Sequence, residues 1–391
     1  MLRLIVKLGL AVAVLAAIAF FSFAPGIVEK GQNRILPHDP WPVSDAARAL
    51  HAGLVIGDLH ADPLLWGRDL TQRSDRGQVD LPRLIEGNVA LQVFTTVTKS
   101  PAGQNYEANS AAARDNITAL YIAQLRPFRS WLNLTERALD QARELARAEA
   151  KAPQMLKILR TRADLDALLA ARAGGARTVG GILGAEGAHA LSGDPANLAR
   201  LYDAGFRLIG LTHFFDNDVA ASLHGEHKDE GLTQFGRQVV QALVDRHMII
   251  DLAHASPETA REVLAMVDVP VVVSHTGIWS HCKTVRNFPD DLMQAVAERG
   301  GLIGIGYWED VTCDPTPAGI AATIRAAVDL VGADHVALGS DFDGAVTTAF
   351  DVSELPALTQ ALMDAGLSDD VIARVMGANM VRFLRSALPP G

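Results

Sequence analysis

Six short polar signatures recur along the chain, each at the end of an apolar run. They are Asp58-Leu59-His60-Ala61-Asp62, Ala185-Glu186-Gly187, Thr212-His213, Ala253-His254, Ser274-His275 and Ser340-Asp341-Phe342-Asp343-Gly344. Taken singly, none is informative, because a histidine after an apolar run is most often a hydrogen-bonded strand cap. Together they offer four imidazoles, one glutamate and several aspartates, with no thiolate among them. Carboxylates gathered in one place repel one another, and bound cations offset that repulsion. An imidazole and carboxylate donor set suits zinc or a similar divalent ion. The other eight of the 12 histidines serve as a control. His38 and His51 precede the first run, while His247 and His335 precede or open runs. His189, His224, His227 and His281 fall in loops on the same side as the signatures, where they can touch a substrate without being ligands.

The elements that must carry these residues follow from the pattern around them. From residue 51 onward, eight β-prone runs alternate with amphipathic helical stretches: Leu54–Gly57, Ala90–Thr95, Val179–Leu183, Arg207–Leu211, Met248–Asp251, Val271–Val273, Leu302–Ile305 and His335–Leu338. Helical patterns cover Phe235–Arg246, Pro257–Met266, Asp290–Arg299 and Pro317–Val331. Nearly continuous apolar strands alternating with helices imply a parallel sheet covered on both faces. Eight such units predict a closed α/β barrel of the (β/α)₈, TIM-like type, whose C-terminal strand ends converge on one mouth. An open doubly wound sheet is the alternative, but no G-x-G-x-x-G follows the first run. Residues 96–178 form a long interval between the second and third runs, with a strong helical segment at Leu134–Ala150. They predict a helical excursion between strands 2 and 3, near the mouth.

Of the 391 residues, 49% are hydrophobic and 20% charged, which excludes intrinsic disorder and supports a sizeable core. Thirty-five Lys plus Arg against 45 Asp plus Glu give a net charge of −10, which disfavours a nucleic-acid partner. Arg3 and Lys7 precede an apolar run from Leu8 to Ala24. That layout predicts residues 1–24 to be a signal peptide or an N-terminal membrane anchor, with apolar residues 4–24 just able to span. The rest of the chain then lies outside the cytoplasm, periplasmic or otherwise extracytoplasmic, and touches membrane only through this segment. Pro25 directly after Ser22-Phe23-Ala24 argues against cleavage there. Residues 25–50, with Gly26, Gly31, Pro37, Pro40 and Pro42, read as a linker, and 51–388 as one barrel domain.

The ordered set of motifs resembles the membrane (renal) dipeptidase family of binuclear zinc peptidases. The resemblance rests on Gly57-Asp58-Leu59-His60-Ala61-Asp62, Glu186-Gly187-Ala188-His189-Ala190-Leu191, Leu211-Thr212-His213, Gly231-Leu232-Thr233-Gln234-Phe235-Gly236 and Ile250-Asp251-Leu252-Ala253-His254. Ser274-His275, Arg286-Asn287-Phe288-Pro289-Asp290-Asp291 and Gly339-Ser340-Asp341-Phe342-Asp343-Gly344 complete it. It implies two Zn²⁺ ions per chain, one on His60 and Asp62, the other on His254 and His275, bridged by Glu186. Hydrolysis of a dipeptide by a hydroxide between the two ions follows from the same resemblance. It further implies that His213 polarises the scissile carbonyl, that Arg286 pairs with the substrate's terminal carboxylate, and that Asp341 shuttles the proton. Asp343 competes with Asp341 for the shuttle, and Tyr307 serves either as pocket wall or as core. By the same alignment Cys282 and Cys313 match a family disulfide, and family members form homodimers. Other binuclear amidohydrolases typically carry His-x-His after the first strand, so Asp62 favours the dipeptidase branch.

The resemblance is weakest at Phe214-Phe215-Asp216-Asn217-Asp218 and across 96–178, which border the expected pocket and leave the accepted dipeptides open, a C-terminal D-residue included. The alternative within hydrolases is an amidohydrolase acting on a non-peptide amide, lactam or lactone. An inert barrel used for binding is disfavoured, because such relatives lose a ligand or the shuttle and none is missing here.

Overall fold

The computed structural model describes residues 2–391. Among the described residues nine parallel strands form one sheet: β1 (Ile56–Ala61), β2 (Val89–Val97), β3 (Leu156–Ile158), β4 (Val179–Glu186), β5 (Phe206–Gly210), β6 (Ile249–Asp251), β7 (Val272–Thr276), β8 (Leu302–Ile305) and β9 (Val336–Leu338). Pairing runs β2-β1-β9-β8-β7-β6-β5-β4, and Leu91–Val97 of β2 against Gly180–Glu186 of β4 closes the ring. The result is an eight-stranded (β/α)₈ barrel with β3 as a supernumerary strand. β3 pairs with Val179–Gly181 of β4, just before Leu183–Ala185 of β4 pair with β5.

The eight expected runs match the eight barrel strands, but several strands continue past the last apolar residue. β1 extends to Ala61, β4 to Glu186 and β7 to Thr276, so His60, Glu186 and His275 lie on strands rather than in the loops that follow. The ladder explains this, since Ala61 pairs with Phe94 and Thr276 with Ile305. Their backbone groups are bonded whatever the side chain, and polarity does not end a strand whose neighbour is long enough.

Successive strand residues point to opposite faces. Ile56, Phe94, Leu183, Ile209, Ile250, Val273 and Ile303 pack outward against helices, while Leu91, Val93, Ile182, Leu208, Ile249, Val272 and Leu302 fill the interior. Met380, Phe383 and Leu384 of the C-terminal helix plug the interior from below. Followed upward by steps of two, the interior rows arrive at Thr95, Glu186, Asp251 and Ser274. The pleat that packs the core therefore also aims these four polar side chains at the mouth.

The helical excursion holds the helices Asn116–Ala123, Leu134–Lys151 and Arg162–Ala173, together with β3. Helix Leu134–Lys151 starts on an Asn133 cap, whose side chain accepts the Glu136 N–H at 2.9 Å. At the N-terminus, α1 (Leu2–Gln32) runs straight through Pro25, and α2 occupies Asp45–Gly53. Residues 25–50 thus comprise the end of α1, an extended stretch and part of α2. Ile35 forms a bridge with Thr348, and Glu29 is fully buried. Its carboxylate pairs with Arg68 and, at 2.5 Å, with Arg76. Cys282 and Cys313 are joined in a disulfide with Cα atoms 5.6 Å apart, tying the loop after β7 to the loop after β8.

Candidate active site

Glu186, the last residue of β4, sits at the centre of the mouth. Its Oε1 lies 3.4 Å from His60 Nε2, 3.2 Å from His254 Nε2 and 3.4 Å from His275 Nε2, and its Oε2 lies 3.4 Å from His213 Nε2. Asp62 Oδ2 and Asp341 Oδ1 approach His60 Nε2 at 3.4 and 3.8 Å. Three groups of donor atoms gather within 4.8 Å of one another: His60/His275/Asp341, Glu186/His213/His254 and His60/Asp62/Glu186. All seven residues are buried. Residues up to 281 positions apart in sequence, His60 and Asp341, are thus brought to one point.

The orientation of the imidazoles follows from partners beneath them. Ser274 Oγ donates to Asp251 Oδ2 at 2.6 Å, and Asp251 Oδ1 accepts the Ser274 and Ala253 N–H groups. With its proton committed, the Ser274 hydroxyl can only accept from His60 Nδ1 at 3.2 Å and His275 Nδ1 at 2.8 Å. Both rings therefore carry a proton on Nδ1 and turn Nε2 towards Glu186. Thr95 Oγ1 likewise donates to Asp62 Oδ1 at 2.5 Å, and Asp58 Oδ1 accepts the His60 N–H at 2.9 Å. Asp58, Thr95, Asp251 and Ser274 had no assigned role in the sequence. Their interior-facing register is the signal that could have found all but Asp58.

Backbone geometry reinforces the arrangement. His254, Asp341, Asp343 and Ala345 all adopt positive φ, 62°, 59°, 63° and 63°, a conformation that costs a non-glycine residue roughly 1–2 kcal/mol. Glycine is required at 187, where φ is +96° and a Cβ would collide with the His189 ring. Gly304 and Gly339 admit the Ser274 carbonyl between β8 and β9, where a Cβ at either position would strike it.

The electrostatics are those of a site short of positive charge at its centre. Burial and then the neighbouring Asp62 carboxylate push Glu186 well above the usual carboxylate range. Burial also raises Asp341. Burial opposes charging of His60, but Asp62, Glu186 and Asp341 overcome it and hold the imidazole at about 10. His254 and His275 are driven well below the ordinary value, by burial first and then by Arg286 and His60 respectively. His254 Nε2 and His275 Nε2 lie 2.8 Å apart, close enough for one ring to donate to the other or for both to face one cation. The donor set, all nitrogen and carboxylate oxygen with imidazoles pre-oriented by Ser274, fits a divalent metal.

A cleft of about 650 Å³ opens above this cluster. Asp62, Glu186, His213, His254, Arg286 and Asp341 form its floor, Tyr106 and Trp308 its wall, and Val28 and Gln32 of α1 part of its rim. Arg286 is 1% exposed, with its guanidinium over the Trp308 ring at 5.5 Å. Nη2 donates to the His275 carbonyl at 2.9 Å, and among the described residues Nε has no partner. Asp341 and Asp343 separate clearly. The first faces His60, whereas the second is held by Arg68 and by the Gln78 N–H at 2.6 Å. Tyr307 is core, packed on Phe342 and Phe350. Of the loop histidines, His189 is buried against Phe215 and His224 stacks on Phe214, while His227 and His281 are exposed; none of the four lines the cleft.

The family profile of the membrane dipeptidases, peptidase family M19, matches residues 44–388. The curated relatives include a dipeptidase named aclJ from Aspergillus oryzae, 35% identical over 215 residues that cover 53% of this chain and 51% of that protein. A dipeptidase named tcpJ from Claviceps purpurea is 28% identical over 319 residues, covering 79% of this chain and 69% of that one. The chain spans about half the length of the first of these relatives. Among solved structures, a metallopeptidase from Rhodobacter sphaeroides liganded with a phosphinate mimic of the dipeptide L-Ala-D-Ala superposes with a TM-score of 0.71 at 22% identity. The match covers 85% of this chain and 99% of that one. The probable dipeptidase PvdM from Pseudomonas aeruginosa gives 0.71 at 20% identity, covering 88% and 98%. At such identities these two matches speak for the fold. With the profile spanning the whole barrel and the motif residues meeting at its mouth, the chain belongs to the membrane dipeptidase family, peptidase family M19.

Proposed function

We propose that the protein is a zinc-dependent dipeptidase that works outside the cytoplasm. The observation that carries this reading is one cleft holding both the Glu186-centred donor cluster and a buried arginine with a free Nε–H. His60 and Asp62 would hold one ion, His254 and His275 the other, and Glu186 would reach both. When bound, such a pair supplies Lewis-acid polarisation of the substrate carbonyl and makes water acidic enough to attack near neutral pH.

The chain's own residues do the rest. Arg286 binds the C-terminal carboxylate of the dipeptide through its cleft-facing N–H groups, orienting the substrate as well as neutralising it. Burial holds His213 at about 4, so its ring is neutral. The Lys99 carbonyl can only accept, so its long 3.4 Å contact with Nδ1 is a weak bond that the ring gives up when the Nε2–H form donates to the developing oxyanion. Asp341 accepts a proton from the attacking water on a carboxylate oxygen and passes it to the leaving amine. Trp308 and Tyr106, joined by the Trp308 Nε1–H donating to Tyr106 Oη at 3.0 Å, exclude water from the wall beside Arg286.

α1 would hold the enzyme in the membrane. Its segment 2–24 is about 34 Å long at 1.5 Å per residue, enough for a bilayer core, and its apolar side chains are exposed. Periplasmic placement of the body follows from this reading. Homodimer assembly rests on the family resemblance alone. That one neighbour was solved with an L-Ala-D-Ala mimic recommends L-D dipeptides alongside L-L ones as test substrates.

The test is release of amino acids from an L-L and L-D dipeptide panel by the full-length chain in detergent, before and after chelation, with metal content measured. Release lost on chelation and restored by zinc, with about two ions per chain, is expected of the bridged site. Two bound ions without release from any dipeptide would redirect the assignment to other amides or lactams. Absence of any metal would remove the reading altogether.

A further inference from the structure

The segment between helices Asn116–Ala123 and Leu134–Lys151 exposes three large apolar side chains: Leu125, Phe128 and Leu132 are 67%, 79% and 83% exposed. It is not a loose loop. Trp131 Nε1 donates to the Arg126 carbonyl at 2.8 Å, Arg137 Nε donates to the Ser130 carbonyl at 3.1 Å, and Arg126 pairs with Asp140 and Glu144 at 3.2 and 2.7 Å. The backbone is thus fastened from beneath while the apolar tips point to solvent, and Leu125 takes a φ of +54°. A fastened loop with three apolar tips needs an apolar partner.

Its position identifies that partner. A cavity of about 530 Å³ is lined on one side by Phe21, Pro25 and Gly26 of α1 and on the other by Leu125 and Arg129. The loop therefore lies level with the end of the apolar run of α1, where a spanning helix would cross from hydrocarbon to headgroups. Arg143 and Arg147 line the same cavity, and the side chains of Arg129, Arg143 and Arg147 are 57%, 37% and 59% exposed. Each pairs with an acid, Arg129 with Glu136 and Arg143 with Asp140 at 3.2 Å and Arg147 with Glu144. Arg76, Arg126, Arg129, Arg143 and Arg147 around the cavity nevertheless outnumber its Asp140 and Glu144, a local positive excess in a chain of net charge −10.

We propose that residues 125–132 and the adjoining arginines form a second membrane contact, in which Leu125, Phe128 and Leu132 enter the interface of an anionic bilayer and the guanidinium groups bind its phosphates. Apolar tips beside arginines match a surface that is apolar just below a phosphate layer. The proposal rests on the reading that α1 is held in the same bilayer. Because Val28 and Gln32 of α1 also line the catalytic cleft, docking here holds the mouth of the barrel at the membrane surface.

Among the described residues no cysteine is free, so a single added cysteine gives a unique labelling site. Full-length Phe128→Cys, Leu132→Cys and, separately, Val14→Cys would carry an environment-sensitive fluorophore in phosphatidylcholine vesicles with and without phosphatidylglycerol. In anionic vesicles the labels at 128 and 132 should shift to the blue and lose quenching by aqueous iodide, while the label at 14 is protected in both lipids. Combining Arg129→Glu, Arg143→Glu and Arg147→Glu should return the label at 132 to water without moving that at 14. Labels at 128 and 132 that stay quenchable while 14 is protected would overturn the docking surface and leave the anchor standing. A quenchable label at 14 would overturn the anchor itself. Protection equal in both lipids would overturn the role of the arginines. Protection in detergent that grows with protein concentration would assign the face to a second copy of the chain.

Discussion

Replacing Arg286 by methionine keeps a long side chain over Trp308 but removes the guanidinium. Burial lowers the pKa of this arginine, which is the signature of a cation stripped of water. Its Nη2 is committed to the His275 carbonyl, which leaves Nε–H and the remaining N–H groups for the substrate. Truncating one partner of a buried, hydrogen-bonded charge pair costs about 2–5 kcal/mol. That converts to a fall of roughly 30- to 5,000-fold in kcat/KM on a dipeptide with a free carboxylate. A dipeptide amide has no carboxylate to lose, so wild type should prefer the acid by a factor of the same order, and Arg286→Met should erase the preference. The assay is kcat/KM for both proteins on both substrates, on samples of equal metal content, because Arg286 Nη2 also lies 3.5 Å from His254 Nε2. If the variant loses the same factor on acid and amide, Arg286 supports the cluster rather than reading the carboxylate, and the substrate's terminus is recognised elsewhere or not at all.

Three further outcomes follow from the packing. Glu29→Ala leaves Arg68 buried with half of its partners, at a cost of about 3–5 kcal/mol, and should lower Tm by roughly 4–6 °C for a chain of this size; a shift below about 1 °C would show that this ion pair does not clamp α1 to the barrel. The Cys282–Cys313 bridge closes a separation of 31 residues, worth about 3–4 kcal/mol through the unfolded chain, so reductant should lower the Tm of wild type by several degrees and leave the double serine variant unmoved. Burial holds His51 at about 4, its Nε2–H donating to the Gly87 carbonyl at 3.2 Å and its Nδ1 accepting from Thr359 at 2.8 Å. A folded pKa below the unfolded one means stability that is present above pH 6.5 and lost as pH falls towards 4. Between pH 7 and pH 5 that loss is about 2 kcal/mol, so wild type should lose roughly 2 °C more than His51→Gln over this range. Parallel decline of the two proteins would contradict it.

Much of the fold was legible because it rests on local regularities. Strand runs and helical stretches have periods a single chain displays, and Pro257–Met266 and Pro317–Val331 begin and end where the pattern places them. The donor residues were legible because a parallel barrel brings every strand's C-terminal end to one mouth, so position after a run already states location. Three-residue β3 was not, since Leu156-Lys157-Ile158 acquires strand character only by lying against Val179–Gly181. Nor was the separation of Asp341 from Asp343. They are two residues apart and chemically identical, and what divides them is that Arg68 takes one carboxylate and His60 faces the other.

Period and motif order along the chain already specified the barrel, the type and order of the candidate metal-ligating side chains and the apolar N-terminal helix, because composition and period are properties of the chain alone. The tertiary structure decided which way those side chains turn and what holds them. Ser274 aligns His60 from 214 positions away, and Glu29 on α1 grips Arg68 of the barrel body. Such pairings are set by which interior rows and surfaces meet once the sheet closes, and no local regularity encodes that meeting.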